Sequence, residues 1–310
     1  MLYIHKTENE KLREATFSES GIWVHLCNPS PEEISQVSEA LHLETEMLHA
    51  PLDDEERARI ELEDGVIFII VDIPYAMPEG GSHVYNTLPL GIILTQDAIV
   101  TICLQETSII TDFITQYTRN FYTAKKTRFI LQILYKISTK YLQYLRLIDK
   151  TSIRVEQELH RSMKNRELIQ MLRLEKSLVF FSTSLKGNEV VLERMLRIED
   201  VKKFPDDTDL LEDVIIENKQ AIEMCNIYRD ILSGTMDAFA SVISNNLNIV
   251  MKFLAAITII IAIPSFVAAL WGMNVPVPFE QHSNGFWIVT GISGLSALIT
   301  ALIMWRKKML

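Results

Sequence analysis

Two apolar runs near one end of the chain decide most of what it can become. FLAAITIIIAIPSFVAALW, residues 253–271, is 19 residues without a formal charge, and FWIVTGISGLSALITALIMW, residues 286–305, is 20. At 1.5 Å per helical residue the first run reaches roughly 28 Å, about one hydrocarbon core. The alternative, a pair of buried core helices in a soluble protein, fits poorly with two runs at spanning length, each flanked by charge or turn residues. A two-helix membrane hairpin is therefore expected over 253–310.

Charge sets its orientation. Lys252 precedes the first run, Arg306, Lys307 and Lys308 follow the second, and the connecting residues 275–285 contain no Lys or Arg. The positive-inside bias puts both ends of the hairpin in the cytosol and the connection outside. Trp271, Trp287 and Trp305 fall at span ends, where amphipathic rings suit the headgroup level. The chain carries −10 and its last sixty residues contribute +3, so the first 250 carry −13. An acidic soluble part disfavours nucleic acid as a partner and can attract cations. Cys27, Cys103 and Cys225 are distant in sequence and lack metal-ligand spacing, which reads as free thiols in a reducing compartment. The first residues, MLYIHKTENEKLRE, lack a signal-peptide core, so the acidic part is expected in the cytosol.

One side of the first span differs from the rest. Alternating steps of three and four pick out Asn248, Met251, Ala255, Thr258, Ala262, Ser265, Ala269 and Gly272, all small or polar apart from Met251. Phe253, Ile257, Ile260, Ile261, Phe266, Val267 and Leu270 occupy the other sides. Small residues at this spacing commonly pack helix on helix, but Asn248, Thr258, Ser265 and Asn274 favour a bundle interior or a wet cavity. One hairpin cannot enclose a pore, so a pore wall here requires several first spans around one axis in a cyclic oligomer. The second span, with Gly291, Gly294, Ala297 and Ala301, would pack outside them. Pro264 lies within the first span, and the adjacent Ser265 hydroxyl is a candidate to satisfy the carbonyl a proline frees.

The remainder divides in two. Between Gly91 and Gly187 there is neither Gly nor Pro, and apolar positions recur at three- and four-residue spacing among charges, which predicts long helices. From Thr208 to Thr258 only Gly234 interrupts the pattern, so one long helix is expected to enter the first span directly. The first residues differ in kind. Ser30, Pro31 and Glu33 in NPSPEEISQ form a helix-start signature. GVIFIIVDIP and LGIILTQDAIVTICL are strand-rich, the second broken at Gln96-Asp97. We therefore expect an α+β membrane protein, with a cytosolic α/β domain over 1–108, a helical stalk over 109–252 and a transmembrane domain over 253–310. Phosphate loops, His/Cys clusters and nucleophile elbows are absent from the linear sequence. His25, His42, His49, His83 and His160 read as ordinary polar residues, and an enzyme is not expected.

The tripeptide Gly272-Met273-Asn274 closes the first of the two spans. Together with the basic tail, RDILSGTMDAFASVISNNLNIVMKFL over 229–254 and PLDDEERARIELEDGVIFIIVDIP over 51–74, it resembles the CorA family of divalent-cation channels. That resemblance implies a homopentamer in the plasma or inner membrane, multi-pass, with both termini cytoplasmic. It implies Mg2+ as cargo and regulator, with Co2+ and Ni2+ as related cargo. Asn274 would form the outer selectivity ring, positioned by a turn at Gly272 and Met273. Asn248, Met251, Leu254, Thr258, Ala262, Ser265 and Gly272 would line the pore, with Met251 and Leu254 as a hydrophobic constriction on the cytosolic side. Asp213 would bind regulatory Mg2+ between subunits, Asp237 matches an acidic stalk position, and Asp72 is the candidate carboxylate in the N-terminal domain. Many members follow the tripeptide with Met-Pro-Glu-Leu. Here the loop reads VPVPFEQHSNG, with Pro278 and Glu280 as the counterpart residues. A Zn2+ transporter of the same superfamily and a non-transporting membrane-anchored scaffold are the alternatives.

Overall fold

A computed structural model describes residues 1–9, 11–63, 65–79, 82–115, 121–162, 165–199, 201, 204–279 and 283–307. The chain divides into two compact units, Met1–Gly234 and Thr235–Leu310.

The first unit is organised on a sheet of seven strands: β1 (Leu2–Glu8), β2 (Lys11–Glu14), β3 (Ile22–Cys27), β4 (Arg59–Glu63), β5 (Val66–Glu79), β6 (Ser82–Leu94) and β7 (Ala98–Cys103). Their order is β2-β1-β3-β7-β6-β5-β4. β3 and β7 run parallel and every other neighbouring pair is antiparallel. IWVHLC and AIVTIC are buried at every residue, as expected of central strands covered on both faces. The Gln96-Asp97 break falls between β6 and β7 as expected. The N-terminal β1–β2 hairpin has no counterpart in the sequence reading, because its polar residues disguise the strands.

One face of the sheet carries α1 (Pro31–Leu41) and α2 (Thr45–His49), whose Ile34, Val37 and Leu48 pack on Ile22, Val24, Leu26, Val100 and Ile102. The start of α1 is the anticipated capping box: Ser30 Oγ accepts from the Glu33 backbone N–H and the Glu33 carboxylate from that of Ser30. The 3-10 turn Ala50–Leu52 sits directly on the sheet, and a side chain at Gly91 would run into the Pro51 ring.

The other face carries α3 (Ser108–Ile114), α4 (Lys126–Ser162) and α5 (Asn165–Met195). Trp23 meets Phe113 and Phe129 edge-on, with ring centroids 6.4 and 5.0 Å away. α5 is pinned to β5 where β4 runs out. β4 pairs only with residues 66–70, and beyond that the Asn188 side chain acts as a further strand. Its amide donates to the Asp72 carbonyl and accepts from the Asp72 N–H, each at 2.8 Å, while Tyr141 Oη donates to the same carbonyl at 3.1 Å.

α6 is continuous from Pro205 to Trp271, 67 residues, or roughly 100 Å of helix. Its early turns lie on α5, where Asn218 donates to Leu185 O and the Cys225 thiol to Leu178 O. The long-helix expectation therefore holds. In the second unit α6 ends and α7 (Gly285–Arg306) returns. Among the described residues, α6 and α7 are the helices long and apolar enough to cross a membrane.

Candidate functional site

The last turns of α6 have two unlike sides. Ala256 is 0% exposed, and Ile257, Ile260, Ile263, Pro264, Val267 and Trp271 are partly buried. α7 covers this side, where Ser293 Oγ donates to Pro264 O at 3.4 Å. At 100° per residue, Thr258, Ala262, Ser265 and Ala269 fall roughly 180–240° round from Ala256. All four are exposed, as are Asn248, Met251, Leu254, Ala255 and Gly272. The small and polar stripe is thus turned away from the chain's own second span. Of the bulky residues on the other sides of this helix, Ile257, Ile260 and Val267 are partly buried on the side of α7, whereas Phe253, Ile261, Phe266 and Leu270 are exposed. On α7 the partly buried residues include Ser293, Ala297 and Ala301, whereas Gly291 and Gly294 open onto empty space.

The hydroxyls on the stripe have a definite polarity. Thr258 Oγ1 donates to Leu254 O at 2.8 Å and Ser265 Oγ to Ile261 O at 2.9 Å. With each proton committed to its own helix, the oxygens present only lone pairs outward. The Ser265 bond corrects one expectation, because the carbonyl that Pro264 frees is that of Ile260, one residue earlier than the one Ser265 reaches.

Gly272, Met273 and Asn274 follow the last helical turn, and all three side-chain positions are exposed. The Gly272 N–H still bonds to Ala268 O at 3.0 Å, and its backbone is outside the left-handed region. The backbone leaves the helix here, with a turn at Gly272 and bends at Met273, Asn274 and Val275. Further along the connection Phe279 takes the left-handed region, with a φ of 70°. Trp271 Nε1 donates to Pro278 O at 2.9 Å and ties the connection back to the helix end. At Gly285 a Cβ would lie 2.5 Å from Phe279 O, so only glycine lets α7 begin against this turn. Glu280 and Lys308 lie outside the described residues.

The candidate regulatory carboxylates are spread over both units. Asp213 and Asp237 are exposed on α6, on opposite sides of the division between units. Asp72 is partly buried on β5, where desolvation holds its carboxyl above the ordinary value against a hydrogen bond from Ser184.

Sequence reasoning missed one cluster. His25, Cys27 and Cys103, read as scattered residues without metal-ligand spacing, place their ligand atoms within 4.8 Å of one another. The expectation that His/Cys clusters are absent is thereby corrected, although all three cysteines are free thiols as expected. The HLC spacing of β3 was a partial signal, since i and i+2 share a strand face. The pairing of Cys27 with Cys103 on β7, 76 residues on, carried no local signal. The contact shifts the two thiols in opposite senses. A hydrogen bond with Cys103, and then one with His25, pulls Cys27 down. The same bond followed by burial pushes Cys103 up.

Residues 18–308 match the family described as CorA-like Mg2+ transporter protein. The cobalt/magnesium transport protein CorA of Methanocaldococcus jannaschii is 26% identical over 308 residues, covering 96% of this chain and 94% of that protein. Its Thermotoga maritima counterpart is 22% identical over 310 residues, covering 98% and 88%. The complete structure of the M. jannaschii CorA magnesium transporter superposes with a TM-score of 0.85 at 24% identity, covering 98% of this chain and 96% of that one. The fold of that transporter is thus the fold found here. With a family match running from the first helix-sheet layer through both spans, the chain belongs to the CorA-like Mg2+ transporter family.

Proposed function

We propose that the chain is a Mg2+ influx channel of the cell membrane, formed by a homopentamer whose first spans surround one axis. Co2+ and Ni2+ are the related cargo. The observation that carries this reading is the stripe of Thr258, Ala262, Ser265 and Ala269, exposed on the side of α6 opposite α7. A packing interface would be expected to meet the chain's own partner span. An open, polar-dotted side that ends in Gly272-Met273-Asn274 suits a water-filled path.

The chemistry fits a hydrated cation. Mg2+ surrenders its water reluctantly and is usually held through that shell. Its waters donate hydrogen bonds, and the lone pairs of Thr258 and Ser265 and the amide oxygen of Asn274 accept them. Neutral acceptors hold the ion loosely enough for it to leave, where a ring of carboxylates would trap it. The constriction at Met251 and Leu254, and Asn248 beyond it, would form the cytosolic end of the path. A divalent ion entering an inside-negative cell gains roughly 4.6 kcal/mol per 100 mV, so influx needs no coupled hydrolysis. The basic flanks put both termini in the cytosol.

Closure follows from the acidic cytosolic part. Carboxylates brought together between copies repel unless a cation intervenes, so cytosolic Mg2+ at Asp213 would stabilise a symmetric closed state, with Asp72 and Asp237 as further carboxylates. Both relatives that match over nearly the whole chain carry cobalt and magnesium in their names, which favours this cargo over zinc.

The test is Mg2+ influx into liposomes holding the wild-type chain or Asn274→Ala, under an imposed inside-negative potential. Influx in the wild type that collapses in the variant supports a filter at Asn274. Equal influx in both refutes the filter, and a wild type that is correctly inserted but silent refutes the channel.

A further inference from the structure

β3 and β7 are parallel and in register, pairing Cys27 with Cys103 and His25 with Thr101. Side chains alternate along a strand, so residues 23, 25 and 27 share one face with 101 and 103. This is the face away from α1, since Val24, Leu26, Val100 and Ile102 fill the core on the other side. His25 and Cys27 are each 3% exposed and Cys103 is 1% exposed.

The geometry matches one coordination sphere. A tetrahedral ion with bonds of about 2.3 Å to sulfur and 2.0–2.1 Å to nitrogen needs ligand atoms roughly 3.5–3.8 Å apart. The three atoms here already lie within 4.8 Å of one another, so small χ rotations close the site without moving the strands. The imidazole is also oriented. Thr101 Oγ1 accepts from Trp23 Nε1 at 2.9 Å and lies 2.9 Å from His25 Nδ1, and the Tyr3 ring stacks 6.3 Å from the His25 ring. In the tautomer with its proton on Nδ1, His25 shares the Thr101 oxygen with Trp23 Nε1, and Nε2 is then bare for an ion. Buried thiols often serve simply as small apolar residues. Two thiols and an oriented imidazole converging on one point exceed what packing requires.

The strand ends offer a route of access and a candidate fourth ligand. Cys27 and Cys103 are the last residues of their strands, and the exposed Asn28 follows the first. Glu106, exposed three residues after Cys103, is close enough for its charge to act on both thiols.

We propose that His25, Cys27 and Cys103 form a Cys2His site for a soft or borderline divalent cation, Zn2+ or Co2+, with Glu106 or water in the fourth position. Mg2+ is excluded because it takes oxygen ligands in octahedral array. Each ligating thiol gives its proton to solvent as the ion binds. The site uses no residue of the membrane spans, so it stands whether or not Asn274 is the filter.

The experiment titrates Co2+ into the reduced, chelator-stripped full chain in detergent. The expected result is a near-ultraviolet sulfur-to-cobalt charge-transfer band with the visible bands of tetrahedral Co2+, saturating at one ion per chain. Zn2+ should abolish it and a large excess of Mg2+ should not. Cys27→Ser with Cys103→Ser should remove the band, and Cys225→Ser should keep it. A measurement on the wild type needs no variant to fold: the three buried thiols react with maleimide only as local opening exposes them, and Zn2+ should slow that reaction at Cys27 and Cys103, but not at Cys225, in a time course read by peptide mass spectrometry. A wild type without the charge-transfer band, a band that survives the double replacement, or labelling indifferent to Zn2+ overturns the proposal.

Discussion

Replacing one alanine on each side of α6 tests the central geometry directly. Ala256 is 0% exposed on the side that α7 covers, whereas Ala262 is exposed on the stripe about 240° round the helix. Leucine adds three carbons at either position. At Ala256 they have no space to enter, and overpacking costs about 1–3 kcal/mol. At Ala262 they meet nothing in the chain, so the hairpin should keep its stability to within ~0.5 kcal/mol. The effects on transport run the other way. A ring of leucines at 262 crowds a path that must pass Mg2+ with its water shell, and a barrier raised by about 1.4 kcal/mol already slows flux tenfold. Detergent unfolding midpoints and potential-driven Mg2+ uptake into liposomes should therefore separate the variants. Ala256→Leu should unfold earlier, while Ala262→Leu should unfold normally and lose at least about tenfold in flux. Wild-type flux through Ala262→Leu, or block by Ala256→Leu with Ala262→Leu unaffected, would refute the assignment of the stripe to the path.

Three further outcomes follow from the first unit and its carboxylates. Asn188→Leu leaves the Asp72 N–H without its partner while Tyr141 still serves the carbonyl, so it should destabilise by roughly 1–3 kcal/mol and speed hydrogen exchange in the peptide spanning Asp72; unchanged exchange there would contradict the pin. Asp72 is held above its ordinary pKa by burial, so the folded state binds its proton more tightly, and the associated stability is lost as pH rises from the ordinary carboxylate range to the raised value. Asp72→Asn should consequently raise the unfolding midpoint at pH 7, with the gain fading on acidification below that range; a gain independent of pH would rule out titration as its cause. Asp213→Ala should weaken inhibition of influx by internal Mg2+, and inhibition at the wild-type concentration would remove Asp213 from the regulatory site.

How much of this was legible in the sequence depended on the distance over which each feature acts. The capping box of Ser30 and Glu33, the break at Gln96-Asp97, the two spans and the unbroken α6 are all written in neighbouring residues. Helical periodicity and local hydrogen bonding need no information from elsewhere in the chain. The stripe was legible for the same reason, as was the tripeptide that ends it.

Chain order alone determined the hairpin, the stripe and the acidic, helix-rich remainder, because hydrophobicity and 3.6-residue periodicity are properties of short windows. Tertiary structure alone decided which side of α6 meets α7, since that depends on where Ser293 and its neighbours return. It also decided that the Gly272 N–H keeps a helical bond to Ala268 O while Phe279 takes the left-handed region, with Trp271 bonded to Pro278 O and Gly285 packed against Phe279 O. Most of all it decided that Cys27 and Cys103 meet beside His25. A parallel strand pairing joins residues 76 apart across three intervening antiparallel strands, and no local pattern records such a contact.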